Sequence, residues 1–162
     1  NFIKKIKKIY NFKINNFLEF PTVLEILINN ISKILKRKNS IFLTIDYGEN
    51  SELCNDTLQA IYKNKKSHIL QNIGNSDITY QVNFYHLIKL FKKNKLQIID
   101  FANQSKFLQN LGIKERFEMA SKNLKNLELK QLTESVSRLL HPGQMGALFK
   151  VLIVCNKKIQ II

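Results

Sequence analysis

The chain has 162 residues, 44% of them hydrophobic and eleven of them Phe, a composition typical of one folded domain and unlike that of a disordered segment. Its 26 Lys and Arg outnumber its 12 Asp and Glu, so the formal net charge is +14. This charge fits either a surface for acidic or phosphate-rich partners or the general over-use of Lys, Asn and Ile that an AT-rich genome produces. We favour the second interpretation, because the Lys are spread throughout, and we expect no specific binding of nucleic acid.

The cysteines and the apolar runs bear on where the protein works. Cys54 and Cys155 are far apart and have no metal-binding spacing, so we expect a reducing compartment, with neither a disulfide framework nor a metal site. No apolar run approaches the roughly 18 residues of a membrane-spanning helix, so none is expected. The basic, amphipathic residues 2–9 predict a short solvated helix rather than a targeting segment. A bacterial cytoplasm is the expected location, and a mitochondrion is the alternative.

The first strongly patterned region is a helix followed by a strand. Residues 12–20 read as an extended stretch that ends at Pro21, and Thr22–Glu25 has the pattern of a capping box. Apolar residues at helical spacing then predict one buried helix face, formed by Leu24, Leu27, Ile28, Ile31 and Leu35. After a polar break, the apolar residues 41–45 predict a strand that is covered on both faces, as in a parallel sheet.

The end of this strand is where we first expect chemistry. Asp46 and Tyr47 are followed by Gly48, at a point where we expect the chain to turn. Ligands of open α/β sheets bind beyond the carboxyl ends of the strands. We therefore predict a functional site at residues 46–48, followed by an irregular loop over residues 49–82, whose sequence has no sustained periodicity.

The remaining elements complete an α/β pattern with three or four strands. Asn83 is predicted to cap a helix whose buried face is Phe84, Leu87, Ile88 and Phe91. The later elements are, in order, a strand over 96–101, a helix over 105–111 closed by Gly112, helices over 114–124 and 128–140, a break at 141–143 and a strand over 147–155. So few strands indicate a single domain that is only part of a larger one.

No nucleotide-binding or catalytic motif can be written from this sequence. The five glycines are scattered, so the 162 residues contain neither a G-x-G-x-x-G fingerprint nor a P-loop. The three histidines, His68, His86 and His141, stand alone. We interpret His86 as a structural or solvated helix residue and His141 as a turn residue. The residues alone predict a partial α/β domain with a polar segment after its first strand, and nothing more specific.

Five stretches, in order, nevertheless resemble the MidA-like methyltransferase family, which includes the mitochondrial complex I assembly methyltransferases. These stretches are residues 45–48 (IDYG), 56–60 (DTLQA), 74–79 with 82–84, 104–116 around Leu111-Gly112-Ile113, and 138–151 around Met145-Gly146. Pro21 and Glu25 also fit the segment that precedes the I-D-Y-G strand of the family. The resemblance covers nearly the whole chain from residue 20 onward.

The resemblance implies a class I, Rossmann-like methyltransferase sheet, of which this single domain over residues 1–162 is the C-terminal part with helical additions. Residues 41–46 match the fifth strand of that mostly parallel sheet, and the sixth and seventh lie near 95–101 and 147–155. The glycine loop for the donor belongs to strands that the resemblance places before residue 1. We therefore expect S-adenosylmethionine as the cofactor of the full-length family, no cofactor-binding residue here, and an inactive chain when it stands alone.

The resemblance also implies a set of acceptor-cleft residues. Known members methylate an arginine of a partner protein, such as a respiratory complex I subunit, and Asp46 and Tyr47 are the implied catalytic residues. A carboxylate such as Asp46 could align a guanidinium for attack on the donor methyl, or it could cap the strand end, and both roles stay open. The other implied cleft residues are Gly48, Asp56, Thr57, Gln59, Asp77 and Thr79. Asn83 stands where the family usually has Asp, which keeps a helix cap and removes a charge.

Three functions stay open at this point. The first is a fragment of a protein arginine methyltransferase, whose partners are the acceptor protein and a missing N-terminal half. The second is a module that keeps the acceptor-recognition half and binds a partner without catalysis. The third is a nucleic-acid-binding protein that uses the +14 charge, which salt-dependent affinity for generic DNA or RNA would reveal.

Overall fold

The computed structural model describes residues 4, 19, 21–37, 39–52 and 56–156. The predictions for residues 2–9 and 12–20 lie outside this part of the chain, apart from Lys4 and Glu19, and so does Cys54. In chain order the elements are α1 (Leu24–Arg37), β1 (Ile41–Glu49), β2 (Gln59–Tyr62), β3 (Lys65–Ser67), β4 (Asp77–Thr79), β5 (Val82–Asn83), α2 (Phe84–Lys93), β6 (Gln97–Asn103), α3 (Gln104–Asn110), α4 (Ile113–Ser121), α5 (Asn126–Leu140), α6 (Met145–Leu148) and β7 (Phe149–Cys155). The predicted α/β class is confirmed.

Four strands form the main sheet, in the order β5-β1-β7-β6. β7 lies between β1 and β6 and runs antiparallel to both, with Ile41 opposite Cys155 and Tyr47 opposite Phe149. β5 adds only a two-residue parallel pairing, in which Gly48 faces Val82. The expected parallel sheet is therefore present only in part, because the last strand inserts in the opposite direction.

One face of this sheet joins α1 and α2 in the hydrophobic core. The buried members of the core are Ile28, Leu35, Phe84, Leu87, Leu90, Phe91, Leu96, Leu152 and Val154. Phe42 of β1 contacts Phe91 of α2, with ring centroids 5.6 Å apart. Phe84 contacts Phe101 of β6 at 5.5 Å. Each such aromatic pair contributes about 0.5–1.5 kcal/mol beyond the area that it buries, so these contacts fix α2 over the sheet.

The other face of β1 departs from the prediction of a strand covered on both sides. Ile41, Leu43 and Ile45 are 54%, 46% and 41% exposed, while Phe42, on the opposite face, packs against the core. Alternate side chains of a strand point to opposite faces of its sheet. The unbroken apolar run therefore gives β1 one buried face and one apolar face that is open within the described residues.

Residues 59–79 contain a second, three-stranded sheet in the order β3-β2-β4, so the prediction of an irregular loop over 49–82 is wrong there. The β2–β3 hairpin turns at Lys63 and Asn64, whose φ values are 48° and 61°. Two left-handed central residues are what a type I′ hairpin turn requires, and Asn-Gly or Asp-Gly usually signals it. Lys-Asn lacks that signal, and strands of three or four residues are too short to display a period.

The helix boundaries agree with the sequence at most positions. Asn83 caps α2 as predicted, since its Oδ1 accepts from the backbone N–H of His86 at 2.9 Å. Gly112 has a φ of +80°, which fits the left-handed residue that closes α3. Two elements differ: the four-residue α6 is absent from the prediction, and β7 begins at Phe149 rather than at residue 147. α4 and α5 contain no buried residue, so this helical pair projects from the core.

Candidate functional site

A cavity of about 510 Å³ opens beside the carboxyl end of β1. We call it the β1-end cavity. Its lining comes from the segment before α1 and the start of that helix, the last residue of β1, the segment before β2, β5 with the two residues before it, and the first turn of α2. The lining residues are Glu19, Pro21, Thr22, Val23, Leu24, Leu27, Glu49, Thr57, Tyr80, Gln81, Val82, Asn83 and His86. Its volume lies within the range of roughly 300–1,000 Å³ that is usual for small-ligand pockets.

A hydrogen-bonded cluster holds one wall of the cavity. Both carboxylate oxygens of Glu19 accept from Thr57, one from its backbone N–H at 2.7 Å and the other from its hydroxyl at 2.6 Å. The hydroxyl oxygen of Thr57 in turn accepts from the backbone N–H of Gln81 at 2.9 Å. Because hydrogen bonds to a carboxylate are short and strong, this cluster fixes the orientation of the Glu19 side chain.

The charges of the lining are negative. Glu19 and Glu49 contribute carboxylates, and none of the described residues that line the cavity is Lys or Arg. His86 is 2% exposed, and burial lowers its pKa to about 4, with Glu25 opposing that shift and Lys89 adding to it. The imidazole is therefore neutral at neutral pH. The described part of the lining therefore carries negative charge, in a chain whose net charge is +14.

The apolar part of the lining is open to solvent. Val23 and Leu27 are 68% and 52% exposed, and Pro21, Leu24 and Val82 complete this wall. The helical period predicts that Leu27 belongs to the buried face of α1. This prediction is wrong, because Leu27 lies at the cavity and not in the core. An aliphatic group inside the cavity would remove this surface from water, which is favourable at about 25 cal/mol per Å².

Asp46, Tyr47 and Gly48 lie near this cavity in sequence but do not line it. β1 continues through them to Glu49, so the prediction of a turn at residues 46–48 is wrong. Asp46 lies opposite Lys150 of β7, and its Oδ1 accepts from the backbone N–H of Tyr47 at 2.8 Å. The Tyr47 ring meets Phe149 edge-on at 5.8 Å.

Gly48 has a packing role that explains why the strand needs it. A Cβ at this position would lie 2.1 Å from the carbonyl oxygen of Val82 and 3.0 Å from the Phe84 ring. Only glycine lets β5 approach β1 so closely. The glycine therefore permits the β1–β5 pairing, and no turn needs it.

The other predicted cleft residues fall into two groups. Thr57 lines the cavity, and Gln59 of β2 pairs with Thr79 of β4 in the small sheet. Asp56 and Asp77 are exposed, and Asp77 lies opposite Ile61 in the small sheet. The structure thus brings Gln59 and Thr79 together, places Thr57 in the cavity wall, and leaves both aspartates out of the described lining.

The cavity residues that sequence reasoning missed are Glu19, Glu49, Tyr80, Gln81 and His86. Glu19 lies two residues before Pro21, just outside the stretch from residue 20 onward that resembles the family, so no sequence signal marked it. Glu49 follows Gly48 directly and was hidden by the expectation of a turn. His86 belongs to the buried face of α2, where a lone histidine is usually structural.

Within the described residues, no group of three or more His, Cys, Asp or Glu is placed to hold a metal ion. Cys155 is a buried free thiol, and burial raises its pKa. No helix of the described part of the chain is long and apolar enough to cross a membrane.

A match to a family model shows to which proteins this chain is related. The model of a family of S-adenosyl-L-methionine-dependent methyltransferases, Methyltransf_28, matches residues 1–102, which is more than half of the 162 residues. The chain belongs to the MidA-like methyltransferase family. The resemblance inferred from the five sequence stretches is thereby confirmed.

Curated relatives carry names of the same kind. The chain is 28% identical over 137 residues to the mitochondrial protein arginine methyltransferase NDUFAF7 homolog of Caenorhabditis elegans. It is 26% identical over 125 residues to the mitochondrial protein arginine methyltransferase NDUFAF7 of Rattus norvegicus. These matches cover 84% and 76% of this chain but 32% and 28% of the relatives, so the chain spans about a third of their length.

Two crystal structures of proteins from Burkholderia thailandensis, both from one superfamily, have a similar fold. The first, of an uncharacterized protein, has a TM-score of 0.72 at 21% identity and covers 82% of this chain and 36% of its own. The second has a TM-score of 0.69 at 20% identity, covers 82% and 35%, and holds S-adenosyl-homocysteine. At this identity the likeness concerns the fold, and it confirms the expected methyltransferase-type α/β architecture.

Proposed function

We propose that this chain is the acceptor-holding part of an S-adenosylmethionine-dependent protein arginine N-methyltransferase. The observation that carries the proposal is the match to relatives named protein arginine methyltransferases over most of this chain. The β1-end cavity supports it, because it lies at the carboxyl end of a strand, where α/β sheets bind their ligands. The chain covers only about a third of those relatives, so the activity belongs to a complete enzyme of which this is one part.

The donor is proposed to come from elsewhere in that enzyme. The 162 residues contain no glycine-rich loop, and family members use such a loop for S-adenosylmethionine. In the reaction, a guanidinium nitrogen forms a bond to the donor methyl carbon, the sulfur–methyl bond breaks, and the nitrogen loses one proton. The donor supplies the methyl group, and the residues of this chain bind and orient the guanidinium and exclude water.

Asp46 and Tyr47 are retained as proposed catalytic residues, and Gly48, Asp56, Thr57, Gln59, Asp77 and Thr79 as proposed cleft residues. Thr57 is the best supported of them, since it lines the cavity. Asp46 has an oxygen bonded to its neighbouring backbone N–H, which fits both a guanidinium partner and a strand cap. The proposed acceptor is a partner protein such as a subunit of respiratory complex I, and the names of the relatives favour a mitochondrial location over a bacterial cytoplasm.

Methyl transfer by the complete protein tests this proposal. The protein encoded by the whole reading frame that contains this sequence is incubated with methyl-labelled S-adenosylmethionine and candidate acceptor proteins. We expect label in methylarginine after acid hydrolysis of one acceptor. Label only in methyllysine, or in no protein, would contradict the proposal.

A binding module without catalysis is the second candidate. The observation that favours it is the combination of a formed cavity with a sequence that lacks a donor loop. Such a module would bind the acceptor with the same affinity whether or not S-adenosylmethionine is present, and its whole reading frame would transfer no methyl group.

A further inference from the structure

We propose that the segment between β3 and β4, together with the lysines of the β2–β3 hairpin, binds an anionic lipid surface. We call residues 68–76 the crossover loop. Leu70 and Ile73 of this loop enter the apolar edge of the lipid layer, and Lys65 and Lys66 contact its anionic headgroups. This inference goes beyond the proposed function, because no step of methyl transfer uses these residues.

The exposed apolar side chains of the crossover loop are the first argument. Leu70 and Ile73 are 71% and 77% exposed, and Ile69 beside them is 38% exposed. Single apolar residues scattered over a protein surface are normal, but several on one short segment mark a contact with a partner or a membrane. Burial of such side chains in an apolar medium is favourable in proportion to the area that is removed from water.

Polar atoms, and not these apolar side chains, give the crossover loop its shape. The backbone N–H of Gln71 donates to the carbonyl oxygen of His68 at 2.9 Å. The N–H of Asn75 donates to the carbonyl oxygen of Asn72 at the same distance. The N–H of Leu70 donates to Nδ1 of His68 at 3.2 Å. Because these bonds hold the turns, polar side chains at the exposed positions 70 and 73 would serve the loop equally well, and aliphatic ones point to an external apolar contact.

The strand order places lysines beside the crossover loop. β3 and β4 lie on either side of β2 and both run antiparallel to it, so the loop that joins them returns along the length of the small sheet. Lys66 of β3 and Asp77, where the loop reaches β4, both lie opposite Ile61. At a strand spacing of about 4.8 Å, these two residues are roughly 10 Å apart, which is about one Debye length at about 0.1 M salt.

The charge and composition of this region favour lipid over a protein partner. Residues 59–79 contain three lysines, Lys63, Lys65 and Lys66, and one acid, Asp77, and the three lysines are exposed. Lysines are attracted to an anionic leaflet, and their long stems let the ammonium groups reach the headgroups while neighbouring apolar residues lie deeper. The centres of protein interfaces are instead enriched in Trp, Tyr and Arg, and the crossover loop contains none of these.

Binding of the complete protein to lipid vesicles tests the inference. The protein encoded by the whole reading frame is sedimented with vesicles of phosphatidylcholine alone and with vesicles that contain roughly 30% phosphatidylglycerol. We expect the partition coefficient to be about tenfold higher, or more, for the anionic vesicles. It should fall again when the salt is raised from about 0.1 M to about 1 M, which shortens the Debye length from about 10 Å to about 3 Å.

A pair of double variants tests the apolar contact. Leu70→Ser with Ile73→Ser should lower the partition coefficient for the anionic vesicles about tenfold. Met119→Ser with Leu127→Ser is the matched control, because it changes two residues of α4 and α5 that are 72% and 69% exposed, and it should leave the partition coefficient unchanged.

A second pair of double variants tests the lysines. Lys65→Gln with Lys66→Gln should lower the partition coefficient for the anionic vesicles about tenfold or more. Lys114→Gln with Lys130→Gln removes the same charge from exposed positions of α4 and α5, so its effect should be much smaller.

Three results would overturn the inference. They are equal partition into neutral and anionic vesicles, equal effects of either variant pair and its control, and a loss of unfolding free energy in the Leu70 and Ile73 variant that its control does not show. The last result would mean that another part of the complete enzyme covers the crossover loop. Methylation of arginine without vesicle binding would leave the proposed function standing and this inference wrong.

Discussion

The hydroxyl of Thr57 donates to the carboxylate of Glu19 at 2.6 Å, across 38 residues of sequence. Through this bond, the segment before α1 is joined to the segment before β2. Because Gln81 also donates to the same hydroxyl oxygen, three separate parts of the chain meet at one side chain. The cavity wall therefore depends on Thr57 more than on any other single residue of the cluster.

Thr57→Val should destabilise the fold and loosen the cavity. The substitution keeps the shape of the side chain, removes the hydroxyl donor to Glu19 and leaves Gln81 without its acceptor, so we expect a loss of about 1–3 kcal/mol of unfolding free energy. Urea denaturation measures it. Thr79→Val in β4 is the matched control, because valine suits a strand, and an equal loss in both variants would contradict the role of the cluster.

Asp46→Asn should leave the fold intact and slow methyl transfer by the complete enzyme. Asparagine keeps an oxygen for the backbone N–H of Tyr47, whose bond to Asp46 is 2.8 Å, but it removes the charge that would align a guanidinium. We expect turnover to fall tenfold or more, which is about 1.4 kcal/mol in transition-state free energy. Unchanged turnover in a well-folded variant would leave Asp46 with a capping role only.

Gly48→Ala should disrupt the pairing of β1 with β5. The added Cβ would lie 2.1 Å from the Val82 carbonyl oxygen, and we expect a loss of about 1–3 kcal/mol or more, as for other overpacked sites. Gly74→Ala is the comparison, because its Cβ would meet nothing within 4 Å and only the positive φ of 81° is strained. If thermal unfolding shows Gly74→Ala to be the more damaging change, the close approach at Gly48 is not the constraint.

The pKa of His86 predicts a loss of stability in mild acid. The pKa of His86 in the folded state is about 4, against an ordinary value of 6.5, so between these values the unfolded chain binds more protons and stability rises with pH. Acidification from pH 6.5 to 4 should therefore cost roughly 2–3 kcal/mol through this residue. His86→Gln should flatten the difference in unfolding free energy between pH 7 and pH 5, and an unchanged pH dependence would contradict the assignment.

The isolated chain should self-associate and should not bind S-adenosylmethionine measurably. Apart from the two-residue contact with β5, the edge of β1 opposite β7 has no partner strand within the described residues, and Ile41, Leu43 and Ile45 are exposed beside it. Apolar, uncharged edges pair with other chains.

Sedimentation and calorimetry check this expectation. Leu43→Lys should raise the monomer fraction, because a charge on an edge strand opposes pairing, whereas Leu148→Lys, at an exposed leucine of α6, should not. A donor dissociation constant below about 100 μM, or some 5.5 kcal/mol of binding, would mean that a donor site exists within these residues.

The elements that could be predicted from the sequence are those with a local capping signal or a long periodic pattern. α2 was located from its apolar period and from Asn83, and the end of α3 from Gly112, because a cap and a left-handed glycine act within a few residues. The small β3-β2-β4 sheet was missed, since its strands are short and its turn residues, Lys63 and Asn64, are not the usual ones. The direction of β7 could not be read from its composition, because an apolar run fits a parallel and an antiparallel strand equally.

The site was predictable only in part for a similar reason. Thr57 was found through its family resemblance, but Glu19 and Glu49 take part through contacts that join distant segments. Leu27 occupies a position that the helical period assigns to the core, but it lies in the cavity wall. The hydrophobic period alone cannot distinguish these two locations. The carboxylates became visible as one site only when α1, β1 and the start of α2 were placed together.

The position of β7 has a consequence for synthesis on the ribosome. Cys155 of β7 lies opposite Ile41 of β1 on one side and opposite Gln97 of β6 on the other. β1 and β6 therefore cannot complete their pairing until β7, the last of the described elements to be translated, has been made. Contacts so distant in sequence form slowly, and until β7 arrives the facing edges of β1 and β6 stay open to other nascent chains. A stop codon before residue 149 would thus remove the strand that joins β1 to β6 and leave two sheet edges unpaired.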